Sequence, residues 1–299
     1  MRFYQVDAFT ENPYEGNPCA VFPEAGELTE EQMLKIAREM NLSESAFLFP
    51  SDKAAIRARY FTPMGEIPLA GHPTIASLFV MLAEGMLELP RQGERFELTM
   101  ELKAGVITVH GVKRGDRTWI TMRQLPPRFG RVYSAAEVAP ALGLQLSDFL
   151  PGVKPQTVST GTPQLMVALK NEEALRRARI VLDEYTALKA RGDFLSPHLF
   201  VVYNQEGNVS TSARHFGGVS LEDEDPFTGS ATGGMTAYLY KNELMQGTEL
   251  TALQGASLHS PGIAAATIIP DDSHPEGIAG VEVTGTAVLI FTGELHVLP

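Results

Sequence analysis

Cysteine is scarce in this 299-residue chain, and Cys19 is its only one. A single cysteine excludes an intrachain disulfide and a thiolate metal cluster, and it fits a reducing cytosol. Basic charge is also short: 24 Lys and Arg stand against 36 Asp and Glu, a formal net charge of −12. Without a basic run to meet a phosphate backbone, a nucleic acid is not an expected partner. No apolar run approaches the ~20 residues of a membrane span, and no charged-then-apolar leader precedes the strand-like "RFYQVDAF". A soluble cytoplasmic protein with no membrane partner is the expectation. Also missing are a P-loop, a Rossmann glycine fingerprint, an HExxH pair and a Gly-x-Ser-x-Gly elbow. The seven histidines show no metal-ligand spacing, so no metal site is expected.

What is present is enough apolar sequence for a core: 44% of residues are hydrophobic and 20% charged. The N-terminal half reads as short strands broken by turns, with one helix in "LTEEQMLKIAREMNL". There Thr29 precedes Glu30 and Glu31, and Met33, Ile36, Ala37 and Met40 recur at helical spacing. The Pro-rich "QLPPRFG" is the candidate linker. Beyond it come a short helix near "SAAEVAPAL", strands near "QTVST" and "LMVAL", and an amphipathic helix around Asp183 to Ala190. "HLFVVYN" and "VSTSARHF" then read as a strand pair joined by "QEGN". A second apolar helix, "ATGGMTAYLYKNELM", precedes the C-terminal strands.

Strands grouped around isolated helices point to an α+β protein rather than a regular parallel sheet. Each half carries one helix that is apolar nearly all round, and such a helix must be enclosed nearly all round. The expected architecture is therefore two similar domains, each a curled, barrel-like mixed β-sheet around a central apolar helix, with the active site in the cleft between them. The expected boundaries are residues 1–122, completed by a C-terminal strand at 286–299, and residues 128–285.

The two apolar helices begin alike, with "AGHPT" at Ala70 to Thr74 and "TGSAT" at Thr228 to Thr232. The first N–H groups of a helix lack intrahelical partners and carry about half a positive charge. Gly71 and Gly229 leave those ends uncrowded, Pro73 suits a first turn, and Thr74, Thr228, Ser230 and Thr232 add hydroxyls. Two readings stand: a site for a small carboxylate, or ordinary capping in which Ser or Thr closes its own helix. His72 is either a proton shuttle and hydrogen-bond donor or a histidine satisfied by nearby backbone. Asp225 is the one acid of "EDEDPFTGS" near enough to a helix start for a site role; calcium is not expected there. Glu44, just ahead of the apolar "SAFLF", is either a solvent-facing carboxylate or a cleft-facing one. In a cleft, loss of water would raise its basicity towards general-base range.

These residues also carry a family resemblance. "VDAFTENPYEGNPCAVF", "IAREMNLSESAFLF", "RYFTPMGEIPLAGHPTIA" and "EDPFTGSATG", in order and followed by "GTAVLIF", resemble the signatures of the PhzF-like isomerases of phenazine biosynthesis. The match covers nearly the whole chain, and "GHPT" with "DPFTGSA" is its specific part. The resemblance implies the diaminopimelate-epimerase fold, no cofactor, a small-molecule carboxylate substrate and a homodimer. It implies that Glu44 takes a proton from a ring carbon of trans-2,3-dihydro-3-hydroxyanthranilate or an analogue and returns it at the far end of the conjugated system. Glu44, His72 and Asp225 match the family's catalytic positions; Gly71, Pro73, Thr74, Gly229, Ser230 and Ala231 match its substrate-binding helix starts. Two departures matter. The related epimerases use a cysteine at each helix start, where this chain has Ala70 and Thr228, which disfavours an amino-acid epimerase. The run Gly217–Glu224 departs from the family's usual pattern and is expected to alter the pocket wall. A non-catalytic carboxylate-binding protein is the third reading.

Overall fold

A computed structural model of the chain describes every residue except 89, 206–207, 218–222 and 275. Most of the Gly217–Glu224 run, expected to alter a pocket wall, thus lies outside the described residues. Contacts divide the chain into two units: Met1–Arg123 with Thr284–Pro299, and Gln124–Val283.

The first unit is a mixed sheet with one helix on each face. Its strands are β1 (Arg2–Ala8), β2 (Asn17–Phe22), β3 (Glu44–Phe49), β4 (Ile56–Thr62), β5 (Gly65–Ile67), β6 (Arg95–Leu102), β7 (Gly105–Arg114) and β8 (Arg117–Gln124). Helix α1 (Glu30–Met40) joins β2 to the parallel β3, and α2 (Gly71–Ala83) follows β5. β1 pairs antiparallel with β2, β3 with β4, β6 with β7 and β7 with β8, whereas β4 runs parallel to β6. Residues that return from the far end of the chain tie the sheet's two sides: Thr286 Oγ1 donates to Thr118 O at 2.9 Å, and the Thr121 and Thr284 hydroxyls lie 2.7 Å apart.

Side-chain alternation assigns the two faces. Ala20, Phe22, Phe47 and Phe61 pack with Met33, Ile36 and Ala37 of α1. Their strand neighbours point the other way, to α2, which lies against β1, β2 and β3. α1 is amphipathic and capped: Thr29 accepts from the Gln32 N–H, and the Gln32 side chain accepts from the Thr29 N–H, a reciprocal box. α2 is of the other kind. From His72 to Leu82 every residue but Phe79 is buried, so its side chains have no solvent face.

The second unit repeats the plan in other materials. Its strands are β9 (Arg128–Val132), β10 (Gln156–Ser159), β11 (Pro163–Ala168), β12 (Ser196–Gln205), β13 (Asn208–Phe216), β14 (Glu224–Asp225), β15 (Glu249–Gln254) and β16 (Gly262–Pro270). β17 (Ile278–Gly285) leads back into the first unit, where β18 (Ala287–Glu294) pairs antiparallel with β1 and also packs on α2. β11 runs parallel to β12 and β13 to β15; β9–β10, β10–β11, β12–β13 and β15–β16 are antiparallel. Three short helices, α3 (Ala135–Val138), α4 (Glu172–Arg177) and α5 (Leu182–Ala190), cover one face. They pack Val138, Leu175, Tyr185 and Leu188 onto Leu165, Val167, Leu199, Val201 and Phe216. The other face holds α6 (Gly229–Lys241), set against β10, β11 and β16.

The sequence placed most elements and missed three things. "RFG" is not linker but the start of β9, which leaves residues 125–127 as the connection. α6 begins at Gly229, two residues before the expected run, because a first turn exposes little side chain and accepts glycine and serine. α4 is too short for periodicity to reveal, but Asn171 caps it, with Glu172 and Glu173 in its first turn and Arg176 and Arg177 in its last.

Enclosure on all sides makes α2 intolerant of voids. Leu78→Ala should destabilise the protein by roughly 2–5 kcal/mol, and Thr29→Ala on α1 by only about 1 kcal/mol. Urea denaturation checks the order; a larger loss from Thr29→Ala would contradict it.

Candidate active site

The position of Glu44 follows from strand parity. Phe47 faces α1, so Glu44, three residues earlier, faces α2. On the parallel neighbour its partner is Cys19, and Ala46 of the same face is opposite Tyr60 on β4. α2 brings His72 onto this face in its first turn. His72 Nε2 lies 3.1 Å from Glu44 Oε2, with side chains 5% and 18% exposed. The pair is at ion-pair distance but out of line for a hydrogen bond between the two atoms.

Electrostatics decide the charge state of the imidazole. Burial pushes the His72 pKa down to about 3, so the ring is neutral at pH 7. A neutral imidazole offers one N–H and one lone pair and sets no full positive charge beside Glu44. Cys19 is driven the other way: burial first, then the Glu44 charge, lift its thiol well above the ordinary range. The sulfur is therefore a protonated, buried thiol under the carboxylate, and not a nucleophile.

The opening of α2 is not capped by a side chain. Ala70, extended at φ −148°, stands at the cap position and makes no side-chain bond. Thr74 does not close the helix either. Its hydroxyl donates back to Ala70 O at 2.8 Å and lies 2.8 Å from the Tyr60 hydroxyl. The hydroxyl of Thr74 is thus committed within the fold, and the turn is left with half-buried Gly71 and the buried imidazole of His72. Ordinary side-chain capping is excluded at this end.

It is excluded at α6 as well, where Thr228 makes no side-chain cap bond. Asp225 pairs with His215 across β14 and β13, which places it on the α6 face, and its carboxylate accepts from the Thr228 hydroxyl. Thr232 donates back to Thr228 O at 3.1 Å, as Thr74 does to Ala70. Three glutamines hold the opening turn from outside. Gln254 donates to Asp225 O at 2.6 Å and accepts from Thr228 N at 3.2 Å. Gln124 donates to Gly229 O at 2.8 Å, and Gln164 donates to Ser230 Oγ at 3.0 Å. Gly233 permits this approach, since a Cβ there would fall 1.9 Å from Gln124 Oε1. Behind the turn, His215 Nε2 lies 2.9 Å from Ser196 Oγ, and its Nδ1 is 3.3 Å from His198 Nδ1. Burial pushes the His215 pKa down to about 3; burial and the neighbouring imidazole push His198 well below its ordinary value.

The structure therefore brings Glu44 and His72 into direct contact in the first unit. In the second it gathers Asp225, Gly229 and Ser230 at one helix opening. Pro73 and Ala231 are buried in the first turns of their helices. The sequence reading missed Tyr60, Gln124, Gln164 and Gln254. Gln164 left one signal, a lone amide inside the apolar strand "PQLMVA"; the others left none, because their partners are distant in sequence. Among the described residues no group of three or more His, Cys, Asp or Glu is arranged to hold a metal ion. Nor is any described helix long and apolar enough to cross a membrane.

Comparison with known proteins identifies the family and the fold. The profile of the family described as "Phenazine biosynthesis-like protein" (PhzC-PhzF) matches residues 6–293. An uncharacterised isomerase of Clostridium acetobutylicum is 32% identical over 98% of this chain and 97% of its own. The trans-2,3-dihydro-3-hydroxyanthranilate isomerase of Pseudomonas aeruginosa is 29% identical over 99% of both chains. The crystal structure of a PhzF-family phenazine biosynthesis protein of Bacillus anthracis superposes with a TM-score of 0.87 at 31% identity, covering 99% of each chain. A probable proline racemase of Agrobacterium radiobacter, 12% identical, shares the fold with a TM-score of 0.64 over 98% of this chain and 92% of its own.

The buried imidazoles set a pH dependence of stability. The unfolded chain protonates a histidine near pH 6.5, whereas folded His72 stays neutral down to about 3. Stability is then complete above about pH 6.5 and falls as pH drops from there towards 3, by about 1.4 kcal/mol per pH unit for each such ring. Urea denaturation between pH 7.5 and 5.0 should show this loss, with a shallower slope in His72→Asn. An unchanged slope in the variant would mean that His72 takes up a proton when folded.

Proposed function

This chain belongs to the phenazine biosynthesis-like family of isomerases, and on that premise we propose that it moves a proton within a small ring bearing a carboxylate, with Glu44 as the acid/base. The observation that carries the reading is the contact of Glu44 with His72 at the uncapped start of α2. A carboxylate on the helix-facing side of its sheet, beside a neutral imidazole, suits proton transfer better than a fixed ion pair would, because no cation holds its charge in place.

The substrate is trans-2,3-dihydro-3-hydroxyanthranilate or an analogue, by likeness to the Pseudomonas isomerase. Glu44 takes a proton from a ring carbon, and the electron pair of that C–H bond moves into the conjugated system. The double bonds shift, and the same carboxyl returns the proton at the far end. The resulting enol becomes a ketone, and no atom is gained or lost. One carboxylate serves both steps when both C–H bonds lie on one face of the ring. His72, neutral, hydrogen-bonds the substrate and keeps it in line with Glu44. Asp225 and the openings at Gly71, Pro73 and Thr74 and at Gly229, Ser230 and Ala231 bind its polar groups, as the family resemblance implies. Backbone N–H groups at those openings suit a carboxylate, since neither helix has a side chain in the capping position.

Epimerisation by paired thiols does not fit these residues. Cys19 lies on β2, buried and held protonated, and the helix starts carry Ala70 and Thr228.

The test is proton exchange followed by NMR in heavy water with that dihydroanthranilate. Loss of its C3 proton with ketone formation is expected from the native protein. Glu44→Gln should retain binding and slow turnover roughly 10²–10⁴-fold. Native-like turnover in the variant would refute Glu44 as the base; binding without exchange by the native protein would refute the reaction.

A further inference from the structure

The hydroxyl groups around the opening of α6 are not equivalent. Thr228 spends its proton on Asp225, and Thr232 spends its own on Thr228 O. Thr160 donates to Gln124 Oε1 at 2.5 Å and reaches Ser230 O at 3.4 Å. Thr228 also accepts, from Gln254 Nε2 at 3.2 Å. Ser230 differs: its oxygen accepts from Gln164 Nε2 at 3.0 Å, and among the described residues its own proton meets no acceptor. A hydroxyl has one proton and two acceptor sites. With an acceptor site filled from within the fold, the Ser230 proton is left to serve something outside it. Ser230 is half-buried, and so is within reach of a ligand.

Gln164 is built for this task and for little else. It is 2% exposed and sits on the α6 face of β11, opposite Ser196 on β12. Its Oε1 is buried and makes no hydrogen bond among the described residues. An amide kept in an apolar strand at the expense of an unsatisfied oxygen is destabilising unless its nitrogen is needed. The reversed amide would set Oε1 on Ser230, consume the serine's only proton and present lone pairs to the ligand.

We propose that Gln164 is a positioning residue: by donating to Ser230 Oγ it turns the Ser230 hydroxyl into a hydrogen-bond donor for the carboxylate of a ligand at the start of α6. The inference rests on the carboxylate-ring reading above and adds to it the residue that fixes the polarity of that subsite. Gln124 and Gln254 hold the backbone of the same turn through Gly229 O and Asp225 O. Gln254 also donates to Thr228 Oγ1, whose proton is already given to Asp225, so Gln164 alone of the three braces a hydroxyl that keeps its proton.

The experiment is a double-mutant cycle read by calorimetric binding. The probes are 3-hydroxyanthranilate and 2-aminophenol, which differ only by the carboxylate. Gln164→Glu imposes the reversed polarity, because a carboxylate can only accept from Ser230. Gln164→Met removes the donor and keeps the volume, and serves if the buried charge prevents folding. Either should weaken 3-hydroxyanthranilate roughly tenfold to a hundredfold, the worth of a hydrogen bond to a charged group, and leave 2-aminophenol unchanged. On a Ser230→Ala background neither should have a further effect. Equal losses for both probes, or losses that add to that of Ser230→Ala, would show Gln164 to be structural and overturn this inference alone. Failure of the native protein to prefer the carboxylate probe would overturn it together with the carboxylate-ring reading.

Discussion

An apolar helix closed in on every side can meet polar chemistry only at its ends, and that constraint organises each unit of this protein. α2 is buried from His72 to Leu82 but for Phe79, and α6 from Ala231 to Leu239. Elsewhere in the chain, three helices that keep a solvent face receive conventional caps, Thr29 on α1, Ser134 on α3 and Asn171 on α4, while α5, which follows Val181, has none. The two enclosed helices lack them. Their threonines bond backward to carbonyls, which tightens the first turn and leaves its leading N–H groups to other partners. Both openings fall where the positive ends of the helix dipoles lie.

Enclosure also fixes charge. Burial that stabilises α2 strips water from His72 and makes its protonation unfavourable, so the imidazole beside Glu44 is neutral. Burial acts oppositely on the Cys19 thiol, which keeps its proton. One desolvated face thus sets a carboxylate beside a neutral imidazole and a protonated thiol. A cationic histidine in the same place would form an ion pair with the carboxylate and lower its basicity.

The two units solve the same problem with different side chains. Around α2 the support comes from a strand tyrosine through Thr74. Around α6 it comes from three amides, each from a different segment, and from a glycine that lets one of them approach. Amides can donate and accept without carrying charge, so they brace a turn without competing for an anion. This division leaves Glu44 in one unit and Asp225 in the other as the carboxylates beside the two helix openings.

The α+β class, the two apolar helices and their glycine-marked starts were legible in the chain alone, which also singled out Glu44, His72 and Asp225 as candidates. Those features are local: periodicity, composition and short motifs act within a few residues, and the order of the motifs carried the family. The tertiary structure decided which face Glu44 occupies, because strand parity means nothing until Phe47 is seen against α1. It decided that Thr74, Thr228 and Thr232 spend their hydroxyls inside the fold, a choice among partners that sequence cannot rank. It also supplied Gln164, whose meaning depends on Ser230, 66 positions away. A hydrogen bond depends on distance in space and on the direction of a single proton, and a linear sequence records neither.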